Sequence, residues 1–143
     1  GKETALAWAC MNETYEAVQL LINNQAKTNV SDEEGKTPLL HILSPAHLSG
    51  HEDKKKQAFY ITAILLENKA DVKVKDNELK TPLIYIASLK EQFDPYSTIL
   101  KIVELLIGAG ADVNARDNEN KTALDYALEN NNIELVNLLM QAN

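Results

Sequence analysis

Cysteine is almost absent from the 143 residues: Cys10 is the sole thiol, so the chain can form no internal disulfide. A reducing compartment is the simplest reading, and an intracellular protein, cytoplasmic or nuclear, is expected. Long apolar runs are missing too. None approaches the roughly 20 residues that span a bilayer, and no secretory signal pattern opens the chain; no membrane partner is expected. Basic residues are outnumbered, 14 Lys and Arg against 21 Asp and Glu, for a net charge of −7. Nucleic-acid binders carry a basic stripe, so no nucleic acid is expected as a partner.

Sets of residues that could do chemistry are equally sparse. His41, His47 and His51 are the only histidines. His47 and His51 stand four apart beside Glu52, but Gly50 interrupts them, no cysteine is near, and no HExxH occurs; no metal site is expected, given the geometry zinc demands. Gly108-Ala109-Gly110 is a faint echo of a nucleotide loop, yet it follows a helical pattern and lacks both the third glycine and a P-loop Lys-Ser/Thr. It reads as a helix end. No catalytic residues and no cofactor site emerge, so the expectation is a protein that is not an enzyme.

What is present is repetition. Threonines that can start a helix stand at Thr4, Thr37, Thr81 and Thr122, spaced by 33, 44 and 41. Alanines that close a turn stand at Ala26, Ala70 and Ala111, each 11 residues before the next threonine. The turn-to-helix part is therefore rigid, and all the extra length falls between a threonine and its own alanine. A period of this order is the signature of stacked repeats.

The motifs resemble the ankyrin repeat. Thr37-Pro38-Leu39 and Thr81-Pro82-Leu83 match its Thr-Pro-Leu, with Thr4-Ala5-Leu6 and Thr122-Ala123-Leu124 as milder forms. Leu105 to Asp117 carries nearly the whole Leu-Leu-x-x-Gly-Ala-Asp-Val-Asn-x-x-Asp sentence. The resemblance implies an all-α solenoid of stacked helix-turn-helix units with β-hairpin-like fingers. It spans one domain, 1–143, with repeats of about 1–34, 35–78, 79–119 and 120–143. The family's buried histidine after Thr-Pro-Leu is replaced by Ala7, Leu40, Ile84 and Asp125, so only moderate stability is expected. The opening Gly1-Lys2-Glu3, without Met and inside what should be a turn, suggests an excerpt of a longer protein. Apolar Leu135 and Leu138 near the end suggest that further repeats or a cap follow.

Along the chain, the spacing places Leu6, Ala9 and Cys10 inward on the first helix, and Val18, Leu21 and Ile22 on the second. Glu13, Gln25 and Leu79 stand where left-handed backbone is expected, a place that favours glycine. The first insertion is read as a loop over 44–51 followed by a helix from near Glu52 to about Leu66. In the third unit the first helix is expected to extend to Gln92. Asp94-Pro95 is expected to cap the second. In the fourth, Leu124, Ala127 and Leu128 are expected to face Ile133, Val136 and Leu139. Residues 47–57 and 89–97 are expected to protrude opposite the fingers, as recognition loops or as tolerated drift in length.

The implied function is non-catalytic: a scaffold that binds another protein or peptide through finger tips and first helices. The candidate tips are Glu33, Glu34 and Lys36; Asn77, Glu78, Leu79 and Lys80; and Asn118, Glu119 and Lys121. Leu79 is either an exposed apolar anchor or a sign that the turn has changed shape. Trp8, His41, Tyr85 and Tyr126 share one repeat position, which is either core or an aromatic stripe for recognition. Nearby groove positions are Met11, Asn12, Ser88 and Glu129. Two other classes stay open: a regulatory sensor taking a nucleotide-like or nucleic-acid ligand within a larger protein, and a spacer presenting another domain. Oligomeric state is not legible.

Overall fold

The computed structural model describes residues 4–142. Readings that fall on Gly1, Lys2 and Asn143 lie outside the described residues. Among the described residues nine helices follow in order: α1 (Ala5–Met11), α2 (Tyr15–Asn23), α3 (Pro38–Ile42), α4 (Pro45–Leu48), α5 (Glu52–Glu67), α6 (Pro82–Ala87), α7 (Thr98–Gly108), α8 (Ala123–Glu129) and α9 (Ile133–Ala142). First helices pack in one row, α1 on α3, α3 on α6 and α6 on α8; behind them α2 packs on α5 and α5 on α7. One continuous apolar core runs through the stack, from Leu6 and Cys10 to Leu135 and Leu139.

The threonines start helices as expected. Thr4, Thr37, Thr81 and Thr122 each accept, on Oγ1, the backbone N–H three residues on. Pro38 and Pro82 occupy the first turn, where a missing N–H costs nothing. Thr122 completes a capping box, donating its own N–H to Asp125 Oδ2 at 2.9 Å. The recurring alanines close the second helices. Ala26, Ala70 and Ala111 donate their N–H to Leu21, Leu65 and Leu106 at 3.0 Å each, past a left-handed Gln25, Lys69 or Gly110. This is the two-bond helix stop that satisfies the last carbonyls. Glu13 is left-handed too, at φ 55°.

The fingers depart from expectation. Among the described residues there is no strand. Each finger is a tight turn in which an aspartate replaces a ladder. Asp32, Asp76 and Asp117 donate their N–H to the carbonyls of Lys36, Lys80 and Lys121. Their Oδ1 atoms accept two further backbone N–H groups each. Those amides are thus spent on a side chain rather than on a partner strand.

The insertions depart as well. Residues 44–51, read as loop, contain α4, and Leu48 on it is fully buried. The first helix of the third unit stops at Ala87, not Gln92. Leu89 and Phe93 then turn into the core from non-helical backbone. Asp94 does not cap α7; it forms a local turn, accepting the N–H of Tyr96 and Ser97, and Ser97 caps α7 by accepting the Ile99 N–H at 3.2 Å.

The segments are stitched to their neighbours rather than free. His47 Nδ1 pairs with Glu13, Thr98 donates to Glu52, and Lys55 meets Glu91 at 3.6 Å. Asn130 Nδ2 donates to the carbonyls of Ala87 and Leu89, and Asn132 Nδ2 to that of Glu91. Residues 47–57 and 89–97 therefore form a seam, and the expectation that they protrude as loops fails. Tyr96 is 88% exposed.

In the last unit Leu128 and Ile133 are exposed, contrary to expectation, and Leu135 takes the inward place beside Val136 and Leu139. Leu43 and Ala87, at the register of Leu128 in the preceding units, are buried. Among the described residues two buried polar atoms, Thr62 Oγ1 and Asn132 Oδ1, have no hydrogen-bond partner, and Thr62 on α5 is fully buried. Thr62→Val removes that hydroxyl at nearly constant shape. It should raise stability by about 1 kcal/mol in a urea titration, because a buried unpaired polar group costs that order.

Candidate finger and first-helix site

The aspartate of each finger also ties it to its own first helix. Asp32 Oδ2 meets His41 Nε2 at 2.8 Å, Asp76 Oδ2 accepts the Tyr85 hydroxyl at 2.6 Å, and Asp117 Oδ2 accepts the Tyr126 hydroxyl. The residue column read as core or recognition thus does a third thing in three of its four members: it braces the fingers. Trp8, the fourth, is 57% exposed.

These contacts perturb the groups concerned. Burial pushes Tyr85 and Tyr126 up, and the aspartates that accept their protons push them further. Burial would raise Asp32 and Asp117. For Asp32 the Lys36 N–H and the His41 ring outweigh it; for Asp117 the Tyr126 hydroxyl and the Lys121 N–H do, so both end below the ordinary range. Asp125 is lowered by the Thr122 N–H it accepts. A carboxyl lowered in the folded state adds stability above its unfolded pKa, about 3.9, and that stability is lost as pH falls through the lower folded value. A melting-temperature profile should therefore be flat from neutral pH down to about 5 and fall below about 4. Asp32→Asn should blunt the fall. Cys10 sits in the core, and burial pushes its thiol up to about 12, which leaves it inert.

Fingers one and two stack on each other. The Asn77 N–H donates to the Glu34 carbonyl at 2.9 Å and Asn77 Nδ2 to that of Glu33 at 2.8 Å; the Asn118 N–H repeats the first bond to Glu78 at 2.9 Å. Between these two fingers, the start of α4 and α6 lies a cleft of about 320 Å³. Seven of the residues singled out in the sequence line it: Glu34, Lys36, Asn77, Glu78, Lys80, Tyr85 and Ser88. Ser44, Pro45 and Asp76 line it as well and were not singled out. A signal existed for Ser44, which follows Thr37 by the same seven residues as Ser88 follows Thr81. Asp76 could have been found as the constant acid of every finger.

The other candidates lie elsewhere. Met11 is half-buried, while Asn12 uses its side chain on the Trp8 carbonyl. Glu33, Asn118 and Glu119 are exposed finger positions outside the cleft. Lys121 and Glu129 pair with each other at 3.0 Å. Leu79 is left-handed, at φ 61°, and 46% exposed, as the sequence leads one to expect. A leucine there costs about 1 kcal/mol or more against glycine. Leu79→Gly should raise the urea midpoint by a shift equivalent to about 1 kcal/mol; a fall would show that its contacts outweigh the backbone.

Among the described residues no group of three or more His, Cys, Asp or Glu could hold a metal ion. Nor is any helix among them long and apolar enough to cross a membrane. A family model described as ankyrin repeats in three copies matches residues 1–53 and 54–143.

Proposed function

The chain belongs to the ankyrin-repeat family, and on that footing we propose that it is a non-catalytic binding module whose partner is a protein gripped by fingers and first helices. Ankyrin repeats are generally protein–protein interaction modules. The single observation that carries the assignment to this face is the cleft between the first two fingers, the start of α4 and α6, which seven finger and first-helix candidates line. The physics supports it. The fingers are held by the aspartate bonds and by finger-to-finger backbone bonds, so little ordering remains to be done on binding. The insertions are occupied by bonds within the stack.

Site-specific photo-cross-linking tests the reading. A photoreactive residue is placed at Asn77 or Lys36 on the fingers, and at Lys101 or Glu104 on the exposed side of α7. Irradiation in cell extract should give protein adducts from the finger positions and none from α7. Adducts from α7 alone, or from neither set, would remove the assignment.

A further inference from the structure

We propose that the cleft receives a cationic side chain, arginine in preference to lysine, so that the partner presents a basic segment; this rests on the binding role proposed for the face. The argument begins one unit further along. There Lys121 Nζ lies over the Tyr126 ring, 5.2 Å from its centroid, and meets Glu129 at 3.0 Å and Glu119 at 3.7 Å. The molecule has thus built a cation site from an aromatic face and two carboxylates, and has filled it with its own lysine.

The same register in the preceding unit holds Tyr85 for Tyr126, Glu78 for Glu119 and Lys80 for Lys121. Ser88 replaces Glu129, so the carboxylate that draws the lysine over the ring is missing. Lys80 stays on Glu78 at 3.1 Å. A second carboxylate comes instead from across the gap, from Glu34 on the neighbouring finger. Tyr85, 8% exposed, and the two carboxylates remain among the walls of the cleft with no lysine drawn over the ring.

Charge points the same way. The cleft is lined by three carboxylates, Glu34, Asp76 and Glu78, against Lys36 and Lys80, on a chain of net charge −7. Burial pushes the Tyr85 hydroxyl up, and Asp76, Glu78 and Glu34 add to it. Glu34 and Glu78 have exposed side chains, 72% and 62%, and their bonds to Lys36 and Lys80 are surface pairs. Such pairs are worth little. A guanidinium can bond a carboxylate with two N–H groups at once and can stack on a ring, which an ammonium cannot match.

The test uses the 143-residue chain and a short fluorescein-labelled peptide of alternating arginine and serine, with a glutamate-serine peptide as its counterpart, followed by fluorescence anisotropy. The arginine peptide should bind and the glutamate peptide should not. Affinity should drop about tenfold in Glu34→Gln/Glu78→Gln, in keeping with the loss of charge-assisted bonds. It should drop similarly in Ser88→Glu, which restores the carboxylate that holds the lysine over the ring. Glu104→Gln on α7 should bind like the wild type. The proposal is overturned if the arginine peptide does not bind, if the glutamate peptide binds as well or better, or if the cleft variants, shown folded by circular dichroism, bind unchanged. Cross-linking from Asn77 and Lys36 reports the face whatever the partner's charge. Adducts there together with a failed peptide test would sink the cation assignment and leave the binding face standing.

Discussion

Gly35→Ala should destabilise the chain by about 3 kcal/mol, the sum of a left-handed penalty and a steric one. Gly35 has φ +78°. A Cβ added to it would lie 2.7 Å from Asn77 Oδ1 and 2.9 Å from Asn77 N. The first of these contacts is a side chain, which can move. The second is the backbone amide that bonds the Glu34 carbonyl, so relief would break the stacking of the two fingers. Leu79 and Asn120 occupy the same turn position in the next fingers, at φ 61° and 63°, and do carry a Cβ. At Gly35 the close approach of Asn77 adds to the cost of the turn. Urea denaturation measures the effect, and a loss near 1 kcal/mol would mean that only the backbone term operates.

Asp76→Ala should cost a similar amount, about 3 kcal/mol, because it removes a buried charged acceptor and leaves three donors without it. Asp76 is 8% exposed and accepts from the Glu78 N–H at 2.8 Å, the Lys80 N–H at 3.0 Å and the Tyr85 hydroxyl at 2.6 Å. Tyr85→Phe removes only the last and should cost about 1 kcal/mol. Hydrogen exchange separates the two roles. The Glu78 and Lys80 amides should exchange much faster in Asp76→Ala and nearly normally in Tyr85→Phe. If both variants loosen these amides alike, the brace to α6, and not the turn itself, holds the finger.

Much of this fold could be read from the chain. Four threonines and three alanines carried the period, and the caps and helix stops they predict are the ones present, because those bonds are local and depend on a few residue types. The insertions resisted reading for the opposite reason. Leu89 and Phe93 look like a helix stripe, but the backbone carbonyls of Ala87, Leu89 and Glu91 are satisfied by Asn130 and Asn132 from another unit, a long-range fact that no local pattern contains. Glu13 was legible as a left-handed residue and not as the partner of His47, 34 positions away. The cleft stood between these extremes. Its charged walls follow from finger register, whereas the difference between a ring without its lysine at Tyr85 and one with it at Tyr126 turns on Ser88 in place of Glu129.

The measurement that bears most directly on the account is a comparative capture from cell extract with three forms of the chain. One is the wild type. One carries Glu34→Gln and Glu78→Gln in the cleft. The third carries Lys90→Ser and Tyr96→Ser, both exposed on the insertion. With all three folded to the same extent, the account predicts that proteins retained by the wild type are lost from the cleft form and kept by the insertion form. Loss from the insertion form with retention by the cleft form would contradict it and move recognition to the seam.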